Sequence, residues 1–332
     1  MKANAVVCHK HCAPEDLVFE PIDVPEPGKG QVLVQVKAAG LNYPEVLIIQ
    51  GKYQFQPPHP FVPGGEAAGI VKKVGPGVKG LSEGDHVAVM TGWGAFAEMV
   101  VLEEFRCVKI SKDVDFATAS GTLMTYGTTI HAFRQRANLQ KGETVLVLGA
   151  AGGVGTAAVD IAKAMGATVI AAASTDEKLE LCKQLGADHV INYSKENLRE
   201  RLKEITNNDG VDVVYDPVGD KYAEPAIRSL AWRGRYLVIG FAAGDIPKIP
   251  LNLALLKGSA IVGVFWGAFT SREPELHQEN TNILLDLIAK GVLKPQVTQT
   301  YPLASAGQAI RDMMNRKVKG KAVLLVGDAA KI

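Results

Sequence analysis

Long apolar runs, a dominant charge and a cysteine framework are all missing from this chain. No stretch of about 18 consecutive apolar residues occurs, so no transmembrane helix is expected. The 36 Lys and Arg residues oppose 35 Asp and Glu, for a formal charge of +1. The two signs are interspersed, with no long block of either, which argues against a non-specific nucleic-acid surface. Cysteine is scarce: Cys8, Cys12, Cys107 and Cys182 are too few for a disulfide scaffold and suit a reducing compartment. The opening "MKANAVVCHK" lacks the basic-then-apolar layout of a secretory signal and reads as a strand, so a cytoplasmic protein is expected. Repeats and low-complexity tracts are also absent.

One cluster invites a metal, the "CHKHC" of Cys8–Cys12. Tetrahedral zinc usually draws ligands from two separated knuckles, and five consecutive residues do not easily wrap one ion. Strand alternation would also turn Cys8 and His9 to opposite faces. The cluster therefore reads as structural.

What is present falls into two patterns. The first 120 residues are strand-like and punctuated by Gly and Pro, as in "PPHPFVPGG" and "GPGVKGLSEGD". "QVLVQVKAAG" puts Val32, Val34 and Val36 on one face of a strand. A small β-barrel-like or sandwich domain over residues 1–121 is expected. From 122 to 267 the runs "TVLVLG", "TVIAAAS", "HVINY", "VDVVYD", "RYLVIG" and "AIVGVFW" alternate with helix-period segments. Runs this evenly apolar suit strands covered on both faces of a parallel sheet. Six of them, joined by helices, are the count of a doubly wound α/β sheet. The tail, 268–332, holds two amphipathic segments, near Asn282–Ile288 and Ala306–Met314, and a last strand "KAVLLV".

Between the first two runs lies "LGAAGGVGTAA". In the G-x-G-x-x-G register it reads Ala150, Gly152, Gly155, with alanine in the first place. The physical needs are still met along Ala151, Gly152, Gly153 and Val154. Glycine lets backbone approach a pyrophosphate, Gly155 lets the helix pack on the strand, and the helix start offers free N–H groups. The end of the second run selects the dinucleotide. An NAD site needs an acidic residue there, whereas "AAASTDEK" gives Ser174, Thr175 and, one turn on, Lys178. Hydroxyls and a lysine suit a 2′-phosphate. Asp176 and Glu177 read as ordinary dipole partners in a helix's first turn. NADPH is the expected cofactor.

The chain resembles, over its whole length, the zinc-free medium-chain dehydrogenase/reductases of the quinone oxidoreductase (zeta-crystallin-like) group. "AAGLNYPEVLIIQGKY", "PGGEAAGIV", "GAAGGVG", "STDEK", "DPVG", "VIGFAAG" and "VFWG" carry the likeness. The resemblance implies a GroES-like β-rich catalytic domain, made of residues 1–121 and the returning tail, plus a six-stranded Rossmann domain. In zinc-dependent members, a His stands where this chain has Gly65 and a Cys where it has Asn42. Their cysteine-rich lobe would fall between Met90 and Phe96, where only five residues intervene. No metal site is expected. Without a Lewis acid an isolated ketone is poorly polarised, but a quinone or enone already delocalises the charge that hydride brings. The expected substrates are therefore conjugated carbonyl acceptors, with enoyl-thioester reduction and a non-enzymatic, crystallin-like role as alternatives.

By the same resemblance, Asn42 and Tyr53 lie at the cleft between the domains, orienting the nicotinamide or donating to the developing oxyanion, and Tyr53 can supply a proton. Asn42 also reads as a helix cap for "YPEVLIIQ", and Tyr53 as a packing aromatic. Further cofactor contacts are implied at Thr129, Tyr193, Gly240, Phe241, Ala242, Phe265, Trp266, Gly267 and Arg316. Finally, the sixth run is an apolar edge strand with no Lys or Pro to blunt it. A homodimer formed by pairing it with its twin is expected.

Overall fold

The eleven-residue strand Gln31–Leu41 organises the first half of the protein. Its alternation is real: Val32, Val34 and Val36 are buried in one large core, while Leu33 packs on the other face with Ala3 and Val24. In the computed structural model, which describes residues 1–327, this strand sits within a sheet ordered Val297–Pro302, Lys321–Leu325, Gln31–Leu41, Glu66–Val74, His86–Met90, Cys107–Lys109. The chain groups by internal contact into two units. One is residues 1–124 with the chain from Pro295 onward, and the other is Thr125–Lys294.

The return to the first unit thus begins at 295, not at 268. The helix Pro274–Ala289 explains the difference, because Leu284 and the following Leu293 join the same core as Val145, Val147 and Ala162 of the second unit. The amphipathic tail segment Ala306–Met314 is a helix of the first unit, where Ala306, Ala309 and Ile310 are buried.

The second unit is the expected doubly wound sheet. Its six strands run in the order His189–Asn192, Thr168–Ala173, Thr144–Leu148, Val211–Asp216, Leu230–Val238, Ala260–Gly263, every neighbouring pair parallel. The order reverses beside Thr144–Leu148, the strand that leads into the glycine turn, which is where such sheets leave a crevice. The helix Gly153–Ala164 buries Ala157, Ala158, Ile161 and Ala162 against the sheet. Ala260–Gly263 is an edge with Ile261 42% exposed.

In the Cys8–Cys12 cluster, Cys8 is buried and the two sulfurs lie 3.8 Å apart. Among the described residues, no group of three or more His, Cys, Asp or Glu is placed to hold a metal ion. No helix among them is long and apolar enough to cross a membrane.

Candidate functional site

The glycine turn is built from backbone. Gly149 takes a left-handed φ of +58°, so the tight-turn glycine stands one residue before the alanine that occupies the motif's first place. Gly152 donates its N–H to the Gly149 carbonyl at 2.9 Å and is the N-cap of the helix Gly153–Ala164. No side chain caps that helix, so the first-turn N–H groups and the positive dipole end remain available to an anion. A Cβ at Gly155 would stand 2.2 Å from the Gly149 carbonyl oxygen, which only glycine avoids. Ala151 is buried in this turn, and Gly153 and Val154 open the helix.

At the end of the next strand, the Lys178 ammonium lies 3.5 Å from the Ser174 hydroxyl. Thr175 caps the helix Asp176–Gln184 by accepting the Lys178 N–H. Asp176, whose charge would repel a phosphate, is engaged by Lys195 and Asn192, each at 2.6 Å. Those contacts hold its carboxyl below the usual range. Neither partner was readable as such, because both arrive with the next strand and its following turn.

The remaining expected cofactor residues have varied settings. The Tyr193 ring packs on Tyr222 with centroids 4.3 Å apart. Gly240 and Ala242 donate N–H groups to the Asp216 and Pro217 carbonyls, fixing the loop that presents the exposed Phe241. That loop rests in turn on Asp216, whose carboxylate accepts the Val218 and Gly219 N–H groups and the Tyr236 hydroxyl. Phe265 is exposed while Trp266 is buried, and a Cβ at Gly127 would fall 2.7 Å from the Trp266 ring. Gly267 is exposed beside it. Thr129 is fully buried, its hydroxyl bonded to the Thr125 carbonyl and the Tyr215 phenol. Arg316 is exposed in the first unit, in a left-handed turn after the helix Ala306–Met314.

The first unit holds a network that the residue pattern only half disclosed. Asn42 is the N-cap of the helix Tyr43–Ile48 and forms a capping box with Glu45, whose carboxylate accepts the Asn42 N–H at 2.7 Å. The other Glu45 oxygen accepts the Gly65 N–H at 2.9 Å. One carboxylate therefore ties together the two backbone positions at which zinc-dependent relatives would carry a cysteine and a histidine. Glu45 is 2% exposed, and burial pushes its carboxyl up to about 7 although the Lys321 charge works the other way. The Asn42 amide donates to Glu66 at 3.0 Å and accepts from Lys321, which also bonds Glu66 at 2.7 Å. Glu66 accepts the Met124 N–H with its second oxygen. Tyr53 is half-buried against the same core, and burial together with the Glu45 charge raises its phenol above its ordinary value. Among these, Glu45, Glu66 and Lys321 were not singled out from the residue pattern.

Two family descriptions match this chain: residues 28–112 match "Alcohol dehydrogenase GroES-like domain" and residues 153–285 match "Zinc-binding dehydrogenase". The chain is 36% identical to a quinone oxidoreductase-like protein 2 homolog of Nematostella vectensis, over 97% of its own length and 88% of the relative. It is 34% identical to a 2-haloacrylate reductase of a Burkholderia species, over 97% and 98%. The solved quinone oxidoreductase of Escherichia coli, complexed with NADPH, superposes with a TM-score of 0.89 at 32% identity, covering 98% of this chain and 100% of that one. Near-complete coverage at these identities, on a GroES-like sheet and a six-stranded Rossmann sheet, establishes that this oxidoreductase belongs to the quinone oxidoreductase group of the medium-chain dehydrogenase/reductase family.

Proposed function

We propose that this protein is an NADPH-dependent reductase of quinones and other conjugated carbonyl acceptors, working without a metal. The observation that carries the reading is the tie made by Glu45 between the Asn42 and Gly65 N–H groups. The positions that would bear ligands are an amide and a glycine, so the residues do not fit a zinc ion, and oxyanion stabilisation falls to hydrogen-bond donors. A conjugated acceptor is the class that such donors serve.

For the cofactor, the residues fit. The 2′-phosphate is met by Lys178 and Ser174, with Asp176 neutralised by Lys195. The pyrophosphate is met by the first-turn N–H groups after Gly152. The E. coli relative bound to NADPH supports the same choice. When bound, NADPH supplies the hydride. Tyr53 and Asn42 then stabilise the substrate oxygen on which charge develops. The phenol of Tyr53, protonated at neutral pH like any phenol, supplies the proton. The edge strand Ala260–Gly263, with exposed Ile261 and nearby exposed Trp232, supports a homodimer formed by strand pairing.

The relative named a 2-haloacrylate reductase favours a second reading, reduction of an activated carbon–carbon double bond. An NADPH-oxidation screen over benzoquinones, naphthoquinones, enals and crotonyl-CoA separates the readings. Turnover on quinones is expected. Turnover on crotonyl-CoA alone would support thioester reduction, and no turnover on any acceptor would leave a cofactor-binding protein without this activity.

A further inference from the structure

We infer that Lys321, from the strand that returns at the C-terminal end, is a positioning residue that orients the Asn42 amide and strengthens it as a donor. This rests on the reading that Asn42 serves the developing oxyanion.

Register brings the two together. Ala322 pairs with Leu41 across the antiparallel strands, and the next step along each chain sets Lys321 beside Asn42. Gly40 pairs with Glu66 on the other side. Two glycines clear the space: a Cβ at Gly40 would fall 2.6 Å from a Glu66 oxygen, and one at Gly121 2.8 Å from Lys321 Cγ. Lys321 is 4% exposed and Glu66 1%.

Within this enclosure the amide has one permitted orientation. Lys321 is donor-only and faces Oδ1, whereas the Glu66 oxygen paired with Lys321 acts as an acceptor and faces Nδ2. Turning the amide over would set two donors and two acceptors against each other in a buried place. The ammonium at Oδ1 also draws electron density from the amide nitrogen, making its N–H groups better donors. One N–H is committed to Glu66, and the other is what the network holds ready. Stability alone does not explain the pair, since apolar residues of similar volume often fill such a place as well or better.

The test compares Asn42→Ala, Lys321→Arg and the charge-free double variant Lys321→Met with Glu66→Gln, the last also built on Asn42→Ala. The double variant avoids leaving Glu66 buried and unpaired, and thermal midpoints check that each protein folds. We expect Asn42→Ala to lower kcat on an enone tenfold or more with the NADPH Kd unchanged. The double variant should lower kcat by a similar factor with KM little changed, and should cost nothing further in the Asn42→Ala background. Lys321→Arg should recover much of the loss. An inert Asn42→Ala would overturn the oxyanion reading and this inference with it. If Asn42→Ala is impaired but the charge-free variant keeps full kcat, or its loss multiplies with that of Asn42→Ala, Lys321 is structural only.

Discussion

Replacing Glu45 with Gln should change the pH dependence of stability in a defined direction. The Glu45 carboxyl titrates near 7 in the folded protein against 4.5 as a free group. Between those values the folded state holds a proton that the unfolded chain has released, so stability falls as pH rises through the window. The penalty is absent below about 4.5 and complete above about 7. At about 1.4 kcal/mol per tenfold, the gap is worth about 3 kcal/mol. Gln carries no charge and cannot titrate, so the Glu45→Gln variant lacks this loss, although it gives up one of the two backbone acceptors. Urea unfolding followed by tryptophan fluorescence, at intervals from pH 5 to pH 8, reads the difference. The variant should gain on the wild type by 2–3 kcal/mol across that range, roughly the part of the gap that the window covers. Parallel curves for the two proteins would refute the reasoning, because they would mean that Glu45 is ionised throughout.

The other expectations concern cofactor, chemistry, metal and assembly. Lys178→Ala should weaken NADPH by roughly 1.5–3 kcal/mol, about ten- to a hundredfold, with NADH unchanged; equal losses in the two dissociation constants would remove Lys178 from the 2′-phosphate. Tyr53→Phe should slow an enone by about a hundredfold, the typical cost of one preorganised donor, and a naphthoquinone much less. A parallel, modest fall on both substrates together with NADPH affinity would make Tyr53 a packing residue. Elemental analysis should find less than one zinc per chain, and chelator treatment should leave turnover intact. Ile261→Asp should convert a dimer into a monomer by light scattering, as a charge on an edge strand opposes pairing; a wild-type monomer at micromolar concentration would contradict the dimer itself.

How far the residues alone disclosed all this depends on the distance over which each feature is encoded. Local features were legible. The six apolar runs became the six parallel strands, the alternation of Val32, Val34 and Val36 became a buried face, and Asn42 is the cap of the helix it precedes. The glycine turn was legible in kind but shifted by one residue, because the left-handed conformation at Gly149 satisfies the tight turn before the motif begins. Features that depend on packing were not legible. The helix Pro274–Ala289 has an apolar face but nothing in its period says which core covers it. Lys321 opens an otherwise apolar strand and reads as a surface residue. Its burial beside Asn42, 279 positions away, follows from a strand register that hydrophobic pattern does not specify.

Charge arithmetic connects these observations. The network contains two buried carboxylates and one buried ammonium, a surplus of one negative charge if all are ionised. Lys321 sits directly on Glu66 and neutralises it, leaving Glu45 with only backbone N–H groups. Burial is what raises the Glu45 carboxyl, against the pull of the Lys321 charge. In a site where Asn42 and Gly65 were metal ligands, a divalent cation would balance such a surplus. Here the balance is met by holding a proton near neutral pH and by dipoles of the Asn42 and Gly65 peptides. The pH dependence of Glu45→Gln therefore reads the titratable group that this network places beside Asn42, the residue proposed to serve the developing oxyanion.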